Sequence, residues 1–270
     1  MPLFQPAPRY MHRGAGTRSL LCLALFAGVA RLSAQQPLET ETARLPARHE
    51  VVIGASYEFQ TSSQGTEHAV PLALEYGVTN RIALLIEPVL YTAIRPASGR
   101  AATGVGDLEA TAQFLVANET AHVPAMALAA EVKFPTARNR AIGTGRTDFT
   151  PYLIASKRLG RFDAHANVGC SFVGKPSDLS VQNTLNLAFA VENHVTRGID
   201  ILAEVLSTTA SLSGGEGTVD PNAPELAGAE QVGMIGIRLR HGPRTWFSLG
   251  VTYDNTNALL FRPGFTLGLP

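Results

Sequence analysis

The stretch VVIGASYEFQ, residues 51–60, alternates between apolar and polar positions from Ala55 onwards. Its odd positions are apolar, while Ser56, Glu58 and Gln60 take the other face. A period of two indicates a β-strand with one apolar and one polar face. The same pattern recurs from this stretch to Leu269, so β-structure dominates the chain.

We count about twelve such stretches and no convincing helical period. Counted with the residues that flank the alternating part, the strands run for roughly 9 to 13 residues, which is long for a soluble sheet but suits tilted strands that cross a bilayer. The predicted strands are 51–60, 70–76, 82–90, 108–116, 126–134, 149–156, 162–172, 185–191, 199–205, 232–239, 247–253 and 261–269.

The connections between these strands alternate in length. The long ones are 60–67, 95–106, 136–146, 174–183 and 207–229, and the short ones are 79–80, 118–122, 158–161, 193–198 and 241–244. A membrane barrel with both termini in the periplasm has this alternation of long external loops and short periplasmic turns. The last external connection, 254–258, is short and departs from the pattern.

Aromatic residues cluster at the strand ends, as in the interfacial girdles of membrane barrels. They are Phe59, Tyr76, Phe134, Phe149, Phe162, Phe172, Phe247 and Tyr253. We therefore predict an all-β fold, a single antiparallel transmembrane β-barrel of about 12 strands at residues 50–270. A secreted β-sandwich is the alternative interpretation.

The first residues predict export. Arg9, Arg13 and Arg18 precede the apolar run SLLCLALFAGVA, and small residues follow at Ser33 and Ala34. This arrangement is typical of a secretory signal peptide, here residues 1–34 with cleavage after Ala34. Residues 35–49 are polar and aperiodic, which predicts a flexible periplasmic leader. The predicted location is the cell outer membrane.

Charge and cysteine content argue against a nucleic-acid-binding protein and against a disulfide-stabilised one. Removing residues 1–34 takes four arginines and no acids from 22 Lys+Arg and 22 Asp+Glu, which leaves 18 basic against 22 acidic residues. A mildly acidic chain argues against a nucleic-acid partner. Cys170 alone remains after cleavage, so no internal disulfide is expected.

If the apolar face meets lipid, the polar face lines the interior, because carboxylates on the lipid side would be costly. Two interpretations stay open: a salt-bridged interior that fills a narrow barrel, and an acid-rich lumen that selects cations or polar solutes. The predicted lumen-lining residues along the substrate path are Glu58, Glu75, Glu87, Glu109, Gln113, Glu131, Lys133, Asp163, His165, Glu192, Glu204 and Arg238.

No motif in the chain predicts catalysis or a cofactor. The sequence GTGR at residues 143–146 lacks a third glycine and precedes a strand, so it is a hairpin tip and no phosphate cradle. His165 and Ser171 share a strand face, as in a hydrolase such as the outer-membrane phospholipases. Residues i and i+2 are about 7 Å apart on a strand, so direct contact would need a partner from another strand.

Metal binding also lacks a sequence signal. His122, His194 and His241 fall in predicted turns, without cysteines or the tight spacing of a metal site. We predict that the protein is no enzyme and holds no metal or cofactor.

Four segments resemble the outer-membrane proteins grouped under the meta-pathway of phenol degradation. They are GVGDLEATAQF (104–114), EVKFPT (131–136), GTGRTDFTPYLIASKRLG (143–160) and HANVGCSF (165–172), and with weaker flanks the resemblance covers about residues 78–205. The family usually has glycine where this chain has Ala137, and outer-membrane barrels usually end in an aromatic residue where this chain ends in Leu269 and Pro270. The resemblance implies an outer-membrane barrel for uptake of hydrophobic or aromatic compounds.

Together these patterns predict a channel or transporter for passive passage of small molecules, hydrophobic or aromatic compounds among them. A structural or interaction barrel with a plugged lumen is the first alternative, and an outer-membrane lipid hydrolase is the second. The expected partners are outer-membrane lipid, a small-molecule solute and the barrel assembly machinery during biogenesis.

Overall fold

The computed structural model describes residues 38–175, 181–210 and 229–270. The predicted signal peptide and most of the long connection 207–229 lie outside this part of the chain. None of the described residues forms a helix long and apolar enough to span a membrane. The strands are β1 Val51–Ser56, β2 Glu58–Ser62, β3 Gly65–Thr79, β4 Ile82–Pro96, β5 Ala102–Gly104, β6 Leu108–Ala117, β7 Ala125–Phe134, β8 Asp148–Leu159, β9 Phe162–Ser171, β10 Thr184–Thr196, β11 Ile199–Thr208, β12 Glu230–Arg240, β13 Thr245–Asp254 and β14 Leu259–Leu269.

These strands form one antiparallel sheet that closes on itself. The last strand, β14, pairs with β1 from Val51 opposite Leu269 to Ser56 opposite Gly264, and further along with β2. Strands β1 and β2 are two parts of one wall strand, interrupted at Tyr57, and the short β5 pairs only with β4. Twelve wall strands therefore close the barrel, which confirms the predicted fold.

The barrel has two unlike ends. The start of β1, the end of β14 and the short connections 80–81, 118–124, 160–161, 197–198 and 241–244 lie at one end, here called the termini end. Gly160, in the two-residue turn between β8 and β9, has a φ of 66°, which a side chain would disfavour. The longer connections lie at the opposite, loop end. The predicted long connection 60–67 is only residues 63–64, because β2 and β3 continue to Ser62 and from Gly65.

The alternation of the sequence becomes an outer and an inner face. On β4, Ile82, Leu84 and Ile86 are exposed on the outside, while Ala83 and Leu85 are buried inside. On the other wall strands, too, every second side chain points outward and most of these are apolar. Apolar side chains therefore cover the outer surface. Such a belt is what lipid requires of a transmembrane strand.

Residues 38–49, here called the lumen segment, run inside the barrel. Thr40 and Ala43 are completely buried, and Leu38 packs against Gly236 and Gly250 on the inner face. The expectation of a flexible leader is corrected for these residues. A polar stretch can be held in this place because inward side chains satisfy its backbone groups, a partner set that composition does not reveal.

Candidate functional site

Three inward side chains hold the lumen segment. The Glu204 carboxylate accepts hydrogen bonds from the backbone N–H groups of Glu39 and Thr40, both at 3.1 Å, and from the Thr40 hydroxyl at 3.0 Å. The Ser156 hydroxyl accepts from the Ala43 N–H at 2.9 Å. The Gln113 amide donates to the Thr42 carbonyl at 2.8 Å. Strands β6, β8 and β11 thus fix the segment from three sides.

At the termini end of the barrel, the backbone of Gly77 on β3 holds the last residues of the lumen segment. The His49 N–H donates to the Gly77 carbonyl at 2.6 Å, and the Gly77 N–H donates to the Glu50 carbonyl at 3.0 Å. A Cβ at Gly77 would lie 2.0 Å from the Ala47 carbonyl oxygen. Backbone atoms therefore approach here at a distance that only glycine allows.

We expect Gly77→Ala to push the lumen segment away from β3. The added methyl group would collide with the backbone at Ala47, which cannot move aside as a flexible side chain can. Hydrogen exchange of the amides of Thr40 and Ala43 should become faster in the variant than in the wild-type protein. Gly233→Ala is the matched control, because a Cβ there meets nothing closer than 3.9 Å. Equal exchange in all three proteins would contradict this packing.

The lumen contains a cavity of about 440 Å³ between the lumen segment and the barrel wall. One side of it is lined by the carboxylates of Glu75 on β3, Glu87 on β4, Glu109 on β6 and Glu131 on β7. We call these four residues the acidic wall. Glu87 and Glu109 are direct cross-strand partners, and Glu109 is opposite Lys133 in the next pair. The wall is therefore continuous over four neighbouring strands.

The protein leaves the acidic wall without hydrogen-bonded counter-ions. Among the described residues, none of its four carboxylates makes a hydrogen bond or an ion pair within 4.0 Å. Lys133, which lies opposite Glu109, forms ion pairs with Asp148 at 2.7 Å and Asp107 at 3.9 Å. Like charges directly opposite each other on a sheet are destabilising. Cations or protons from the lumen are thus needed to balance this wall.

The opposite part of the lumen is neutralised internally. Arg238 forms ion pairs with Glu192 and with Asp200, the latter at 3.2 Å. His194 lies between Asp163 at 2.8 Å and Asp200 at 2.7 Å. Ligand atoms of Glu192, His194 and Asp200 lie within 4.8 Å of one another, as a metal site requires. The Arg238 guanidinium contacts both carboxylates of this group, so it supplies the positive charge that a metal ion would bring.

Arg44 joins the lumen segment to this network. Its guanidinium contacts Asp163 at 2.7 Å and Glu119, in the turn after β6, at 3.0 Å. Burial alone would raise the pKa of the Glu119 carboxyl, but hydrogen bonds from the Arg158 N–H and from Arg44 outweigh it and lower the pKa. Glu119 therefore stays charged and holds Arg44 at the termini end.

A serine and a histidine meet on neighbouring strands. The Ser156 hydroxyl on β8 and His165 Nδ1 on β9 are hydrogen-bonded at 2.8 Å, and His165 Nε2 lies 3.8 Å from Glu192. Sequence reasoning missed Ser156, because only the β8 to β9 register brings it opposite His165. The lumen segment covers this pair through the Ala43 N–H, so the contact serves as an anchor.

All twelve predicted lumen residues lie on the inner face. Four form the acidic wall, and two more, Gln113 and Glu204, hold the lumen segment. Glu58 pairs with Arg262, and Lys133 pairs with Asp148. The remaining four, Asp163, His165, Glu192 and Arg238, belong to the ion-pair network. Tyr152 and Glu41 also line the cavity and were missed; for Glu41 no periodicity gave a signal.

Comparisons with known proteins agree with this architecture. The family model described as "Putative MetA-pathway of phenol degradation" matches residues 82–224. The barrel is similar to an outer membrane channel of the group COG4313 from Pseudomonas putida F1, with 16% identity, a TM-score of 0.67 and coverage of 87% of this chain and 100% of the other. No curated protein matches the sequence.

Two porins have a similar fold. The NanC porin is 10% identical with a TM-score of 0.60, and the match covers 80% of this chain and 98% of the porin. The KdgM porin, solved in complex with disordered oligogalacturonate, is 10% identical with a TM-score of 0.52 and the same coverage. At these identities the likeness establishes the fold of an outer-membrane barrel.

Proposed function

Since the chain belongs to the MetA-pathway of phenol degradation family, whose model matches more than half of it, we propose that it is a passive outer-membrane channel for small molecules. The cavity inside the closed barrel carries this proposal. A water-accessible space lined by polar groups, within a wall that faces lipid, is the arrangement of a pore. The loop end faces the exterior in this proposal, and residues 1–34 serve as a cleaved signal peptide.

A solute enters between the loops, crosses the cavity along the acidic wall and leaves at the termini end. The predicted path residues Glu75, Glu87, Glu109 and Glu131 meet it in the middle of the barrel. The lumen segment narrows this path and limits the solutes to small ones. Aromatic compounds, to which the family description refers, are candidates of suitable size, and positive or neutral polar groups suit the wall better than anionic ones.

Removing charge from the acidic wall should weaken cation preference. We expect a wild-type channel between unequal KCl solutions to show a reversal potential of the sign given by K⁺, because unpaired carboxylates concentrate cations. The double variant Glu109→Gln and Glu131→Gln should move the reversal potential towards zero. Planar-bilayer recordings measure both values.

Glu230→Gln provides the control, since this residue is exposed on β12 and does not line the cavity. Its reversal potential should equal that of the wild type. A wild-type channel that prefers anions, or a double variant with unchanged selectivity, would rule out the acidic wall as the selecting element.

A plugged structural barrel is the second candidate function, and the buried lumen segment favours it. In that case correctly folded protein would give silent bilayers, whatever the state of the acidic wall. The proposed channel has no catalytic step, since Ser156 and His165 anchor the segment. Its partners are the solute, the surrounding lipid and the assembly machinery that inserts the barrel.

A further inference from the structure

Six cationic side chains stand at the loop end over the half of the barrel that begins at β4 and ends at β9. We call them the basic rim: Arg95, Arg100, Arg138, Arg140, Arg146 and Lys175, and all are exposed. Among the described residues of these connections and of the strand ends beside them, the acidic side chains are Asp107 and Asp148, and both contact Lys133 inside the lumen. Arg95, Arg146 and Lys175 therefore give the described part of the rim a positive surface.

Two of these cations lie above a stacked aromatic pair on the lipid-facing surface. Phe149 and Phe172 are bridge partners on β8 and at the end of β9, with ring centroids 6.2 Å apart, and both are exposed. Arg146 precedes the first ring by three residues, and Lys175 follows the second by three. A Cβ on Gly174 would lie 2.7 Å from the Arg146 Cβ, so the two cation-bearing segments touch.

Arg95 on β4 also lies beyond a group of aromatic side chains on the outer surface. It pairs with Thr66, two residues beyond His68 on β3. The His68 ring is 5.0 Å from the ring of Phe59 and 6.0 Å from that of Tyr57, which form an aromatic group at this end of the wall. The pairing of β4 with β3 shifts register between Ala69 and Pro71, which reverses the facing of β4 beyond that point. Tyr91, which is exposed, and Arg95 therefore lie on the outer face.

The depth of the rim matches the lipid headgroups. Aromatic girdles mark the boundary of the hydrocarbon core. An extended chain rises about 3.3 Å per residue, so Arg95, Arg146 and Lys175 stand at most roughly 7 to 10 Å beyond the rings. The headgroup layer on each side of a bilayer is about 5 to 8 Å thick. Flexible cationic side chains therefore reach the level of lipid phosphates.

We propose that the basic rim binds the phosphate groups of phosphorylated lipids in the outer leaflet. Arginine matches phosphate geometry with two parallel hydrogen bonds, and lysine adds a point charge. The apolar wall directly below the rim gives the acyl chains of the same lipid a surface, which a free phosphate ion would not use. This inference rests on the proposed orientation, with the loop end outside, and is independent of conduction.

The test uses the purified barrel in a neutral detergent. Lipid A with two phosphates and its dephosphorylated counterpart are titrated separately, and native mass spectrometry measures the bound fraction. We expect the wild type to bind the phosphorylated lipid at least tenfold more tightly. The variant Arg95→Gln, Arg146→Gln, Lys175→Gln should lose this difference. The control Arg48→Gln, Arg81→Gln, Arg161→Gln removes three exposed cations from the termini end and should retain it.

A shift in gel mobility on heating verifies that each variant is folded before binding is measured. Equal binding of the two lipids by the wild type, or equal loss in both triple variants, would overturn the proposal. Loss only in the termini-end variant would overturn it as well and would reverse the orientation. Inorganic phosphate that competes as well as the lipid would show a site for free anions. None of these results depends on channel activity, so failure here leaves the proposed function standing.

Discussion

Deletion of residues 38–45 should raise the single-channel conductance several-fold. This part of the lumen segment occupies the middle of the barrel, where Thr40 and Ala43 are completely buried. Ionic current scales with the open cross-section, so removing a whole chain from a narrow lumen has a larger effect than removing one charge. The side chains that held it, Gln113, Ser156 and Glu204, would then face water, which replaces the hydrogen bonds that they lose.

The matched control keeps the lumen segment and removes one of the hydrogen bonds that hold it. Thr40→Val removes one hydroxyl contact to Glu204, and the two backbone contacts remain. We expect its conductance to stay close to that of the wild type, with added brief openings. A deletion variant that folds, shifts on heating and conducts no better than the wild type would place the constriction elsewhere.

The lumen is divided by charge. Strands β3 to β7 present carboxylates without an ion pair to the cavity. On β9 to β11, by contrast, Asp163, Glu192 and Asp200 are neutralised by arginines and a histidine. Arg44 of the lumen segment belongs to the neutralised half. In the proposed channel, a permeating cation would therefore gain most along the β3 to β7 side. The opposite half serves to hold the segment and the barrel together.

Most of the fold could be predicted because a period of two identifies a strand and also shows which of its side chains point inward. Glu109 and Glu131 were placed inside by parity alone, and they lie there. The interruption at Tyr57 and the short β5 were not predicted, since they depend on which strand pairs with which. The place of the lumen segment was missed because its hydrogen-bond partners are up to 224 residues away in the chain.

The candidate site could be predicted only as a set of inward residues. Which of them neutralise one another depends on register, and register joins residues of different strands. The sequence gives no reason for Lys133 to contact Asp148, or for Glu87 to stand opposite Glu109. Ser156 opposite His165 is a consequence of the same kind. The alternation along one strand predicts which side chains point inward. The pairing between strands decides which of their charges neutralise one another.

Arg238→Met should lower the free energy of unfolding by about 3 to 5 kcal/mol, the usual cost of breaking a buried ion pair from one side. Arg238 and Glu192 are each only 4% exposed, and their side chains form an ion pair on the inner wall. Methionine has a similar length but no charge, so Glu192 would remain buried without its main partner. Guanidinium unfolding in lipid vesicles measures the loss, with Trp246, the sole tryptophan and 3% exposed, as the fluorescent probe.

The double variant Arg238→Met and Glu192→Leu separates charge burial from packing. It removes both charges together, so most of the lost stability should return, while Asp200 keeps its contact with His194. Arg240→Met, an exposed arginine two residues along β12, should cost less than about 1 kcal/mol, because its cation–π contact with Trp246 is all that it loses. If the single and double variants were equally destabilised, the effect would come from altered packing. A single variant as stable as the wild type would mean that lumen water, and not Arg238, compensates the charge of Glu192.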